Sequence, residues 1–185
     1  MNREEALRLI EKQVKNRNSI KHMLATEAVM RFLARRFNKN EELWGLTGLL
    51  HDIDIELVDY TSNPEEHGKE GALFLEKEGV ESEIVEAVKA HNPATGKKAE
   101  TLMEKAIYCA DPLTGLIVAA TLVLPSKKIS DLTISSVINR YKEKSFARAV
   151  NRGIIASCSE MALSLDEFIG IGLKAMQKIA EDLEL

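Results

Sequence analysis

The sequence predicts an all-α protein, and three observations carry that expectation. Apolar residues recur at three- and four-residue intervals through nearly the whole chain, which is the period of an amphipathic helix. There is no βαβ alternation with a glycine-rich phosphate loop, no GxSxG elbow, no Walker sequence and no internal repeat. The composition, 45% hydrophobic and 29% charged over 185 residues, is that of a globular chain long enough to bury a sizeable core in a single domain.

The elements follow in order. Residues 3–15 carry Ala6, Leu7, Ile10 and Val14 as a narrow apolar stripe on a charged helix. Asn18 or Ser19 can cap a second helix, in which Ile20, Leu24, Ala28 and Phe32 run towards Arg35 and Arg36. Residues 41–51, EELWGLTGLLH, are more apolar and so form a deeper third helix, after which DIDIELVDYTSN leaves the helical register. Pro64 suits the first turn of a fourth helix, PEEHGKEGALFLEKE, closed by Gly79. A fifth helix over 81–90 stops at His91-Asn92-Pro93, because a residue before proline avoids the α region. Residues 101–124 read as a long apolar helix bent near Pro112. A short helix near 133–142, another through FARAVNRGIIASCSEMA, and a last one over 165–184 complete the chain. That last helix sets Leu165, Phe168, Ile169, Leu173, Met176, Ile179 and Leu183 on one face, which packs on the bundle or makes a homodimer interface.

Charge and composition exclude several classes. The net charge of −4 argues against a dominant grip on duplex nucleic acid. The longest unbroken apolar stretch, GLIVAATLVL at 115–124, is about half of what a bilayer needs, so no membrane partner is expected. The N-terminal residues MNREEALRLIEKQVKNR have no apolar signal region. Two cysteines, Cys109 and Cys158, form no CxxC motif and no disulfide framework, which fits a reducing, cytoplasmic location.

The chemistry concentrates in the four histidines, His22, His51, His67 and His91. His51 is followed at once by Asp52, and His91 ends its helix, where a histidine can simply favour the helix dipole. Asp111 interrupts the apolar run AIYCADPLTGLIVAA with no Lys or Arg one turn away, so if buried it needs a cation or a strong hydrogen-bond partner.

The ordered set His22…His51-Asp52…His67…His91…Asp111 resembles the HD-domain superfamily of metal-dependent phosphohydrolases. The resemblance rests on IKHMLATEAVMRFLARRF, GLLHDIDIE, EHGKEGALFL, AVKAHNP and AIYCADPL, which lie within about 18–125 and leave 126–185 as an added C-terminal helical layer. It implies an HD-type helical bundle in which His22, His51, Asp52 and Asp111 bind a divalent ion (Mn, Fe, Co, Ni, Zn or Mg). It also implies that His67 and His91 serve a second ion, with Asp52 bridging, or contact a phosphate, or have only a structural place. Two imidazoles and two carboxylates neutralise a divalent charge, so such a site can sit inside an apolar bundle.

The activity so implied is hydrolysis of a small phosphate ester, a nucleotide or another phosphorylated metabolite, by water activated at the metal. Asp54 and Glu56 are candidates for a general acid or base, for an acceptor behind a ligand, or for solvated loop acids. Ile55 stands where the HDxGK version has lysine, and Asp54 where HDIG has glycine, so no subfamily's substrate transfers. Lys69 and Arg148 are the cations expected to reach a phosphate if they are not simply surface charges. The same donor types also suit a di-iron HD-type oxygenase, and a non-catalytic module binding metal or nucleotide is the third reading.

Overall fold

The computed structural model describes residues 1–185 as ten α-helices joined by turns and short 3-10 segments, with no strand. Helix α1, Arg3–Gln13, begins in a capping box between Asn2 and Glu5 and buries Ala6 and Ile10. Helix α2, Arg17–Arg36, starts two or three residues earlier than a cap at Asn18 or Ser19 would place it. Its cap is Asn16, whose side chain accepts from the Asn18 and Ser19 amides, and whose own amide is held by Glu56.

Helix α3, Glu41–Leu50, buries an unbroken run from Trp44 to Leu50. It crosses α2 so closely that a Cβ at Gly48 would lie 2.7 Å from the Thr26 carbonyl oxygen and 2.8 Å from the Glu27 amide. The buried Glu27 carboxylate is clamped there by Arg3 and Arg31, tying α1 to the same crossing.

The expected fourth helix is shorter. Residues 64–68 are turns, and α4 runs only over Lys69–Lys77, with Gly68 at φ +84° before it. The reason is Asp54: its carboxylate accepts from the Gly68 and Gly71 amides, both at 2.7 Å, and fixes the helix start there. Helix α5, Ser82–His91, ends before Pro93 as the sequence predicts.

Helix α6, Leu102–Leu122, opens in a Thr101/Glu104 capping box, contains Pro112 and packs against α2 and α5. By length and composition it could cross a membrane, but it is largely buried as the axis of the bundle. Helices α7, Ile134–Lys142, α8, Arg152–Ala156, and α9, Leu165–Gln177, surround its far side.

Two further expectations are corrected in this layer. The helix expected through 146–162 begins only at Arg152 and tightens to a 3-10 segment over Ser157–Met161; residues 146–151 are irregular, because the Arg152 guanidinium gathers the carbonyls of Arg140, Tyr141, Glu143, Phe146, Ala147 and Val150. A helix would have used those carbonyls for its own amides. The final helix also breaks after Gln177 and resumes as α10, Ala180–Leu183. The break turns Leu183 into the core and brings Glu184 to Lys21 of α2 at 2.7 Å.

The buried side chains form two clusters. One is built around α6 and α9 and the other around α1, α3, α4 and α5, and both draw on α2 and α3. His22, His51 and Asp111 lie next in sequence to members of one or the other, Met23, Leu50 and Ala110. Cys109 and Cys158 are free and buried.

Candidate metal centre

Each histidine stands near a helix end or just outside one. His22 lies near the start of α2, His51 caps the C-terminus of α3, His67 precedes Gly68, and His91 is the last residue of α5. His51, His67 and His91 are buried, and His22 is partly so. All four Nε2 atoms converge on Asp52.

Asp52 Oδ1 lies 3.3 Å from His51 Nε2, 3.2 Å from His67 Nε2 and 3.5 Å from His91 Nε2, while Oδ2 lies 3.5 Å from His22 Nε2. Asp111, half a bundle away in sequence, brings Oδ1 to 3.0 Å from His22 Nε2 and 4.0 Å from His51 Nε2. Its side chain is partly open to the cleft, and its partner is a histidine rather than a lysine or arginine.

The other ring nitrogen of each histidine is committed elsewhere, and this fixes the tautomers. His51 Nδ1 donates to the Gly48 carbonyl at 2.8 Å, and His91 Nδ1 to the Val88 carbonyl at 2.5 Å. A carbonyl only accepts, so both Nδ1 atoms carry the proton. His67 Nδ1 donates to the Asp54 carboxylate at 2.8 Å. The Thr114 hydroxyl donates to the Asp111 carbonyl at 2.8 Å and so accepts from His22 Nδ1 at 3.0 Å. Every imidazole is thereby oriented with Nε2 inward, the arrangement that supports metal ligation.

The inward nitrogens face one another in two pairs, His22 with His51 at 3.2 Å and His67 with His91 at 3.0 Å. Two lone pairs cannot meet at that distance without a cation between them, and in the metal-free protein that cation is a proton. Burial lowers the His22 pKa, but the hydrogen bond and charge of Asp111 overcome it and raise the value to about 9. Burial instead dominates at its partner His51 and lowers it to about 4. His67, opposed by burial but hydrogen-bonded to Asp52 and Asp54, rises to about 10. Against the cost of burial, His51, His67, His91 and His22 together hold the Asp52 carboxyl well below its usual range.

The donor chemistry fits a divalent cation in place of the shared protons. His22, His51 and Asp52 form one group whose ligand atoms could hold an ion, and Asp52, His67 and His91 form another, with Asp111 beside the first. Imidazole nitrogen with carboxylate oxygen suits Mn, Fe, Co, Ni or Zn better than Ca.

The remaining residues singled out in the sequence fall apart in space. Asp54 is wholly buried behind His67, with both oxygens used. Glu56 faces the surface, where its carboxylate accepts the Lys15 and Asn16 amides and closes the α1–α2 junction. Neither Lys69 nor the exposed Arg148 lines the cleft of ≈ 450 Å³ above the cluster.

The cleft does contain residues the sequence reading missed. Tyr60, Asn92, Val150 and Ile154 line it, and the Asn92 amide donates to the Pro64 and His67 carbonyls, which holds the turn that carries His67. Asn92 was detectable as an Asn-Pro cap; Tyr60, Val150 and Ile154 had no local signal.

Comparison with known proteins agrees with this geometry. The family model for the HD domain matches residues 19–116, a span that contains all six histidine and aspartate ligand candidates. Among curated proteins and solved structures, no match is found. The chain belongs to the HD-domain family, which is typical of metal-dependent phosphohydrolases.

Proposed function

We propose that the protein is a metal-dependent phosphohydrolase that cleaves a small phosphate ester. The observation that carries this reading is the convergence of four Nε2 atoms on one shared aspartate, with every Nδ1 already donated outward. His22, His51, Asp52 and Asp111 would hold one divalent ion; His67 and His91 would hold a second, with Asp52 shared between the two. Such an ion lowers the pKa of water from 15.7 towards about 7 and polarises a phosphoryl oxygen.

The chain's own residues orient and exclude. Thr114, the Gly48 and Val88 carbonyls and Asp54 keep the four rings from turning, which holds the donor atoms in place before substrate arrives. Asp54 is a positioning residue, because it touches His67 and not the cleft. If only the first set is occupied, a protonated His67, held at Nδ1 by the Asp54 carboxylate, would present Nε2–H to the cleft. From there it can neutralise phosphoryl charge or give a proton to the leaving oxygen.

The two donor sets sharing Asp52 equally suit a pair of irons, which favours an HD-type oxygenase as the second reading. Assay of a generic phosphomonoester with Mn, Co, Ni, Mg and Fe separates the two. Hydrolysis supported by several redox-inert ions is the expected result. Activity restricted to iron and dependent on dioxygen, with no phosphate released, would replace hydrolysis by oxidation. We place the protein in the cytoplasm, acting on a small phosphorylated substrate rather than on a membrane or duplex nucleic acid.

A further inference from the structure

The cleft above the cluster has no lysine or arginine in its lining. The adjoining groove of ≈ 480 Å³, which shares His22 and Gly115 with it, offers one lysine, Lys21. That lysine is already neutralised by Glu184 at 2.7 Å. Away from the histidines and aspartates the cleft walls are mostly apolar, supplied by Ile55, Tyr60, Pro112, Val150 and Ile154. Of its two asparagines, Asn92 is committed at both ends of its side chain and Asn151 through its oxygen. The Asn92 amide serves the Pro64 and His67 carbonyls, and the Asn151 side-chain oxygen accepts the Ile154 amide. Tyr60 is 53% exposed, and its ring stands edge-on to His67 with the centroids 5.3 Å apart.

Building on the phosphohydrolase reading, we infer that the substrate is a monoester carrying a single phosphate on an uncharged, largely apolar alcohol, and that Tyr60 selects for it by packing against that group. A phosphate delivered to the cluster would meet the divalent ion that these residues would hold. Any second phosphate or carboxylate would lie between apolar walls, near Asp52 and Asp111, and would shed its hydration with no cation to replace it. A flat or aliphatic group in the same place gains contact with the Tyr60 ring and the Val150 and Ile154 side chains. The cleft volume lies within the range of small-molecule sites. The site therefore discriminates against nucleoside di- and triphosphates and against doubly phosphorylated metabolites.

The test is calorimetric titration of the full chain, with Mn²⁺ in excess, using non-hydrolysable probes: methylphosphonate, phenylphosphonate and a β,γ-methylene nucleoside triphosphate. Phenylphosphonate is expected to bind about fivefold to tenfold tighter than methylphosphonate. That advantage should vanish in Tyr60→Ala and return in Tyr60→Phe. The triphosphate analogue should bind no tighter than methylphosphonate, and Val150→Arg, which adds a cation to the wall, should improve its binding severalfold.

A triphosphate analogue that binds more tightly than phenylphosphonate, or an aryl advantage that survives Tyr60→Ala, would overturn this inference while methylphosphonate binding still upheld the phosphohydrolase reading. Failure of methylphosphonate to bind the metal-loaded protein would overturn that reading and the inference with it.

Discussion

Replacing Asp54 by asparagine tests the claim that a buried carboxylate sets the tautomer of a metal-facing histidine. In the native protein one oxygen accepts His67 Nδ1–H at 2.8 Å, and the other accepts the Gly68 and Gly71 amides at 2.7 Å. An asparagine has one acceptor oxygen for these three donors. Two backbone amides compete for it against one ring nitrogen, so the oxygen turns to Gly68 and Gly71 and the NH₂ faces His67. His67 must then accept at Nδ1 and carry its proton on Nε2, aimed at Asp52 and His91. A protonated Nε2 is not a ligand.

Disrupting such an outer partner typically lowers metal affinity by about 10–100-fold, or about 1.4–2.7 kcal/mol. The loss should fall on the His67–His91 set and spare the His22–His51–Asp111 set. Fold stability should drop only by about 0.5–2 kcal/mol, the value of a carboxylate at a helix N-terminus. Asp54→Ala leaves all three donors unpaired and should cost more, about 3–9 kcal/mol at roughly 1–3 for each buried group. Calorimetric titration with Mn²⁺ or Co²⁺, alongside thermal melts, reads both quantities. An asparagine variant that keeps wild-type affinity for every bound ion would refute the tautomer argument.

Three further outcomes follow from the packing and charges. Gly48→Ala should destabilise the fold by about 1–3 kcal/mol, because its Cβ meets backbone atoms of α2 at 2.7–2.8 Å and those cannot rotate away; a melting temperature unchanged within a degree would contradict the close α2–α3 crossing. Arg152→Ala should release the carbonyl cage over 140–150 and make that segment the first site of limited proteolysis; cleavage that begins elsewhere would show the loop is held by other contacts. In the metal-free protein His22 and His67 are raised from about 6.5 to about 9 and about 10, so the stability they contribute is complete below pH 6.5 and declines as pH rises through 9–10. Metal binding, which displaces those protons, should strengthen over the same interval, and melts with and without Mn²⁺ that stay parallel from pH 6.5 to 10 would refute the shared-proton picture.

The strongly periodic helices were readable from the sequence because burying one apolar stripe is a local pattern. The segments that carry no period were misread. Residues 146–151 look helical by composition, yet Arg152 takes the Phe146, Ala147 and Val150 carbonyls. Residues 64–68 look like a proline-led helix start, yet Asp54, ten or more positions earlier, fixes the start at Lys69. In both cases one side chain acts on a distant backbone, which no window along the chain reveals.

The candidate ligands were legible because histidine and aspartate announce their chemistry and their order matched a known pattern. What holds them was half legible. Asp54 was singled out, as one of two nearby acids, but only the fold separates it from Glu56, which turns to the α1–α2 junction. The Gly48 and Val88 carbonyls that orient His51 and His91 are backbone groups, and every residue has one. That the cleft holds no lysine or arginine was not legible at all, since Lys69, next to a motif, and Arg148, beyond them in the C-terminal layer, both fall outside its lining in space.

The central claim is that Asp52 is shared by two sets of histidine ligands, and metal content tests it most directly. Wild-type protein and Asp52→Ala would be equilibrated with Mn²⁺, dialysed and analysed for bound metal, with phosphomonoester hydrolysis measured on the same samples. The account predicts stoichiometric metal and hydrolysis in the wild type, and loss of both in a folded Asp52→Ala. Equal metal retention in the two proteins, or a wild type that binds none, would contradict it.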